Sequence, residues 1–233
     1  MVIEGSRNSF DVRFEIEVKA MQALAVARFL KAIQEAGVDS TPWASTDSPR
    51  RVLRNIAQIA LADDLPGPSL RRSKPSRPDL AACLQEAKLA ELLPNVARPQ
   101  RLSLSAGLLQ IHDFWEESHE AAQLAEDLGE RLNAPYWHGV AHRREPDAGN
   151  AAYWFRRVGN HSVMQRLASD IRLSDRAGND LSQVIVQGRW DSLAFVDVCI
   201  RPIGKSVELA AQTAQAIEMT YLFDATLDAA GLI

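Results

Sequence analysis

The chain has 233 residues, 46% hydrophobic and 24% charged, enough apolar material for one large core and incompatible with wholesale disorder. A formal net charge of −4 gives no electrostatic reason to expect a nucleic acid or an anionic membrane as partner. Cys83 and Cys199 stand far apart, and no apolar run suits a signal peptide or a membrane span, so a cytoplasmic protein with buried free thiols is expected.

Residues 10–18 alternate apolar and polar, which fits a half-buried strand, yet the Ala- and Leu-rich stretch Ala20–Ala36 that follows has helical spacing. Helix is the favoured reading, with at most one minor strand pair near 10–18 and 184–188. Ser48-Pro49 looks like a helix start, opening a helix through Val52, Ile56 and Ile59 to about Ala62. The Pro- and Arg-rich stretch 65–78 reads as an exposed loop, with Arg71, Arg72, Lys74 and Arg77 as a solvated basic patch or a small anion site. Asp79 would cap a helix through Leu93. A long helix is predicted over Ser105–Leu132, with Leu124, Leu128 and Leu132 as its core stripe. Two short helices follow, 135–144 and 148–158, a hairpin over 135–159 turning at Glu145-Pro146-Asp147. Ser162–Ala168 suits a further helical turn, and 178–190 a loop with a short strand. Trp190–Cys199 then reads as a capped short helix, and Lys205–Ala229 as a long one with Leu209, Ala216, Met219 and Leu222 on a buried side. The fold expected is all-α, a single helical domain over 1–233.

All five histidines fall between His112 and His161, along with three of the five tryptophans; such crowding marks the stretch as the candidate site. His138 and His142 stand at i and i+4 and share a helix face, which Glu145 continues at i+7. Two imidazoles and a carboxylate on one face form a ligand set for a divalent metal. Trp115, His119 and Ala122 mark one face of the preceding helix, and antiparallel packing would bring His119 to the pair. Hydrogen-bonded helix histidines without a metal are the plainer reading. The zinc-protease motif places Glu directly after the first His; Gly139 stands there, which excludes that class. Asn150, Trp154, Arg157 and His161 follow at i, i+4, i+7 and i+11. Arg143, Arg144, Arg156 and Arg157 suit either salt bridges with Glu145 and Asp147 or a clamp on a carboxylate or phosphate. Trp137 and Trp154 serve as core packing or as a ligand platform.

The elements Y-W-H, H-R-R-E-P-D, N-A-x-Y-W-F-R-R-V-G and the final His161, with the W-D-S-L-A-F-V-D-V-C segment at 190–199, resemble the core of an uncharacterised bacterial protein family. That resemblance covers roughly the second half of the chain and assigns no activity or catalytic residue. Separately, Ala134–Ser162 is similar to one tetratricopeptide-like helix pair, with Gly139 near the small first-helix position and Gly149, Ala151 and Phe155 in and after the turn. Two functional expectations stand. One is an enzyme or binding protein for a small anionic ligand, with His119, His138, His142 and Glu145 holding a metal or moving protons. Its ligand contacts would come from Trp137, Arg143, Arg144, Asn150, Trp154, Arg156, Arg157 and His161. The other is a non-catalytic interaction or scaffold protein with a protein partner.

Overall fold

A computed structural model describes residues 9–43, 48–62, 67–173, 181–201 and 204–232. In it the alternating segment 10–18 is helical, part of α1, Ser9–Glu35. The Ala- and Leu-rich sequence beyond it favours helix throughout. α2 (Pro49–Leu61) starts where expected: Ser48 is the N-cap, its side chain accepting from the N–H of Arg51, with Pro49 in the first turn.

The expected helix over 79–93 is broken. A 3₁₀ turn over Pro78–Leu80 leads into α3, Ala81–Leu84, and extended backbone at Gln85 separates it from α4, Glu86–Leu92. Asp79 caps nothing, because its carboxylate is taken by the Arg77 guanidinium.

The long helix expected over 105–132 is also two helices, α5 (Arg98–Ile111) and α6 (Trp115–Asp127). Asp113, at φ 67°, makes the turn between them. Because the chain reverses there, Leu124, Leu128 and Leu132 lose the core position expected for them and are 38%, 45% and 53% exposed. α6 instead presents Ser118, Ala121, Ala122 and Ala125 inward.

α7 (Ala134–Arg144) and α8 (Ala148–Val158) form the expected hairpin. Asp147 caps α8 by accepting from the N–H of Asn150. Then come α9 (Ser162–Leu173), β1 (Ile185–Val186), β2 (Arg189–Trp190), α10 (Ser192–Ile200) and α11 (Lys205–Ala229). The strands pair antiparallel with each other, so 184–188 finds its partner at 189–190 and not at 10–18. Asp191 caps α10 through the N–H groups of Leu193 and Ala194. Along α11, Met219 and Leu222 are buried as expected, but Leu209 is exposed. No helix among the described residues is long and apolar enough to cross a membrane, and Cys83 and Cys199 are buried free thiols.

Of the stretch 65–78, residues 65 and 66 lie outside the described residues. The part from 67 to 72 is not a free loop: it is a strap tied across the molecule. The Gln215 amide donates to the carbonyls of Pro68 and Ser69, Arg144 Nε donates to the Ser69 carbonyl, and the Arg72 N–H donates to the Arg144 carbonyl. The Arg72 side chain at its end, and Ser73 and Lys74 beyond it, are exposed.

The buried apolar side chains join in one cluster, from Val26 in α1 to Leu227 in α11. α5, α6, α7 and α8 pack each against the next, with α11 against α5 and α10 against α7 and α8. α7 lies inside this arrangement with every one of its residues buried. Gly107 of α5 permits its approach, since a Cβ there would come within 2.8 Å of the Trp137 ring.

α7 is nonetheless rich in polar groups, and each must be matched. Tyr136 donates to Glu218 Oε1 at 3.0 Å, and Trp137 donates to Thr226 Oγ1 at 3.1 Å. Arg143 reaches Glu218 Oε2 at 2.5 Å, with the Phe195 ring 4.6 Å beneath its guanidinium. Arg144 bonds Asp113, the Gln110 carbonyl and the Ser69 carbonyl. Breaking a buried pair from one side strands a charge, so Glu218→Ala is expected to cost about 3–5 kcal/mol in urea unfolding. An Arg143→Met/Glu218→Leu double variant should recover the larger part of that loss. A single variant as stable as the parent would show that the pair is not dry.

Candidate metal centre

α6 and α7 bring three imidazoles together. His138 and His142, one turn apart on α7, lie with rings nearly parallel, their centroids 5.0 Å apart. His119 enters edge-on from α6, at 87° to both. Its Nε2 lies 3.0 Å from His138 Nε2 and 3.3 Å from His142 Nε2. Zinc bonds to nitrogen are about 2.0–2.1 Å, and a tetrahedral site then separates its nitrogens by about 3.3 Å. Both contacts of His119 are therefore close to the separation of ligands sharing one ion, and the three ligand atoms lie within 4.8 Å of one another.

The opposite ring nitrogens are held by carboxylates. His138 Nδ1 lies 2.7 Å from Glu126 Oε1, and His142 Nδ1 lies 3.2 Å from Glu145 Oε2. A carboxylate at Nδ1 fixes the ring and the tautomer that turns the Nε2 lone pair inward. Glu145, expected among the ligands, thus takes the ring nitrogen facing away from the cluster. It supports His142 instead of joining the three Nε2 atoms. His142, Glu145 and Asp147 also group closely, but both Asp147 oxygens are engaged by Asn150 at the start of α8.

With protons on both Nδ1 atoms, two inward lone pairs face His119 Nε2, which has at most one proton to give. At most one of the two contacts is then a straight hydrogen bond, and the other inward lone pair is left without a donor from His119. Burial lowers the proton affinity of His138 to about 4 and, with His138 and His142 beside it, lowers that of His119 too. A proton is therefore a poor remedy for the crowding; a metal cation suits neutral imidazoles. Burial likewise raises the Glu126 carboxyl to about 7, against the pull of Arg157 and Arg131. Burial thus keeps the His138 ring neutral and makes the Glu126 carboxyl give up its proton later than an ordinary glutamate.

Indole rings flank the cluster. Trp154 stacks on His138 at 4.1 Å and Trp115 on His119 at 5.3 Å. Each also meets an arginine: Arg157 lies 5.2 Å over Trp154, and Arg72 lies 5.1 Å over Trp115. His138 and His142 are buried, whereas His119 is partly exposed and is where the cluster meets solvent.

Of the other expected ligand contacts, Trp137, Arg143 and Arg144 are committed to the core pairings of α7. Asn150 serves the start of α8, and Arg156 is exposed. His161 does not reach the cluster. α8 ends at Val158, and His161 turns inward to bond Asn133 Oδ1 at 3.2 Å against the edge of Tyr136. His112 lies elsewhere, its Nε2 on the Ile56 carbonyl at 3.0 Å. Glu126 was not singled out by the sequence reading, although it stands seven residues after His119 on the same face of α6. Arg72 was read only as part of a basic patch.

The chain was compared with protein-family models, with curated proteins and with solved structures, and none matched.

His112 offers a test independent of the cluster. Burial depresses its folded pKa to about 4 from an ordinary 6.5, so its neutral form contributes stability that is complete above pH 6.5. That stability is lost as pH falls toward 4, on the order of 1–3 kcal/mol. His112→Gln should flatten this part of the pH–stability curve in urea titrations from pH 7 to 4. An unchanged slope would contradict the burial of a neutral ring.

Proposed function

We propose that this protein binds a divalent transition-metal ion through His119, His138 and His142, with Glu126 and Glu145 orienting the two α7 rings from behind. The observation that carries this reading is the convergence of three Nε2 atoms, 3.0 and 3.3 Å apart across His119, while carboxylates occupy the Nδ1 atoms of the other two. Three imidazoles suit zinc and its neighbours, copper, nickel and iron, better than magnesium or calcium, which prefer oxygen. Structural zinc sites usually close with four protein ligands, whereas three leave a position for water or a ligand. Among the described residues the group contains three ligands, with His119 partly exposed. The arrangement therefore favours a centre that works on a bound molecule over one that only staples the fold.

A second reading, an interaction hairpin of tetratricopeptide type, has one contact in its favour. A Cβ on Gly139 would lie 3.2 Å from the Phe155 ring, so the hairpin closes through a small residue on an aromatic. Against it, α7 is buried throughout and leaves no face for a peptide.

Elemental analysis of protein purified without a histidine tag tests the metal reading. About one equivalent of metal per chain is expected, and a chelator should lower the melting temperature. His138→Ala/His142→Ala should abolish uptake. Glu126→Gln, which keeps the shape but changes the partner of Nδ1, should weaken affinity by about 10–100-fold. Parent protein that takes up no zinc, copper, nickel or iron, and whose melting temperature ignores both metal and chelator, would sink the proposal.

A further inference from the structure

The placement of Arg157 bears on what completes the centre, given the metal reading above. Its guanidinium lies 5.2 Å over Trp154 and 5.6 Å over Tyr153, with Nη1 bonded to the Tyr153 hydroxyl at 3.3 Å. Two rings and a hydroxyl thus hold an exposed arginine in place, which reduces the entropy lost when it binds. Among the described residues no carboxylate forms an ion pair with it, so its remaining N–H donors are available to a planar anion. Trp154, on which it rests, is the ring stacked on His138. On the other flank Arg72 repeats the arrangement over Trp115, with a looser partner, Glu116, at 3.7 Å.

Charge points the same way. The carboxylates of Glu126 and Glu145 behind the rings supply the two negative charges that balance a divalent ion. An anion entering the open position would then need positive charge from elsewhere, and Arg157 and Arg72 are the cations resting on the two flanking indoles.

We infer that the open position of the three-histidine centre takes a small anionic ligand, a carboxylate or phosphoryl group, approaching beside His119 and held by Arg157, with Arg72 as the second cation. The two arginines are specificity-determining side chains and hold no metal themselves.

The test uses full-length protein loaded with cobalt(II), whose visible bands report both occupancy and a change of ligand. At constant ionic strength, acetate and inorganic phosphate are titrated in, with neutral imidazole as the control ligand. In the parent protein one of the two anions should shift the bands saturably. Arg157→Gln should keep the cobalt bands and the imidazole affinity, while the anion affinity falls by about tenfold or more. Adding Arg72→Gln should weaken the anion further. Protein that takes up no cobalt sinks the metal reading and this inference together. Intact cobalt bands that neither anion perturbs, or equal anion affinity in the parent and in Arg157→Gln, would overturn the inference and leave the metal reading standing. Equal loss of imidazole and anion affinity in Arg157→Gln would overturn it too, by assigning Arg157 a merely structural role.

Discussion

The constraint on which this molecule depends is the burial of a polar helix. α7 has no solvent-facing side, yet it carries Tyr136, Trp137, two histidines and two arginines. In a low-dielectric interior each of those groups costs several kcal/mol unless it is matched. Most of them are matched by groups distant in the chain: Tyr136, Trp137 and Arg143 by Glu218 and Thr226 of α11, His138 by Glu126 of α6, and Arg144 by the α5–α6 turn and the strap at 67–72, although Nε and Nη1 of Arg143 are buried without a hydrogen-bond partner among the described residues. Apolar packing alone tolerates small slippage along a helix. This set does not, because a shift of one residue would unpair several groups at once.

The geometry of the candidate site follows from that constraint. Arg144 bonds Asp113, the residue whose left-handed backbone turns α5 into α6. It also bonds the Ser69 carbonyl, and its own carbonyl receives the Arg72 N–H. One buried guanidinium therefore ties together the end of α7, the start of α6 and the strap carrying Arg72. Those three elements supply two of the histidines, Trp115 with His119, and the arginine on the Trp115 flank. Arg144 thus helps set how the three histidines stand relative to one another, although it bonds none of them.

How far the sequence disclosed this depends on the range of each interaction. The His138/His142 pair was legible because i,i+4 spacing is local to a helix, and so was the 135–159 hairpin, with Pro135, Asp147 and Gly159 as punctuation. His119 was legible only conditionally, since its approach requires the reversal at 112–114. That reversal has no strong signal: Asp113 adopts positive φ where glycine would have announced it, so Ser105–Leu132 read as one helix and its leucine stripe was misplaced. Arg143 and Arg144 read as salt-bridge partners of Glu145 and Asp147 or as an anion clamp, because those are the roles a local reading offers. Their partners Glu218 and Asp113 lie far along the chain, and no local pattern joins them. Glu126 shares its helical face with His119, but a lone glutamate at that spacing is ordinary until a histidine arrives opposite it.

The molecule also contains its own control for what a structural histidine looks like. His161 is buried beside Tyr136 with both ring nitrogens in use: Nε2 on Asn133 Oδ1, and Nδ1 receiving the N–H of Val163. One donor and one acceptor satisfy a neutral ring, and nothing further is needed. His112 rests on a backbone carbonyl through Nε2. The three rings on α6 and α7 break that habit. Two give their Nδ1 atoms to carboxylates and turn their Nε2 atoms toward a third imidazole, an arrangement that a proton relieves only in part. If the cluster served packing alone, pairing with amide groups as at His161 would have sufficed. A cation bound by all three Nε2 atoms would use every inward lone pair and both carboxylates to advantage. This difference between histidines within one protein favours a metal centre more strongly than their proximity does.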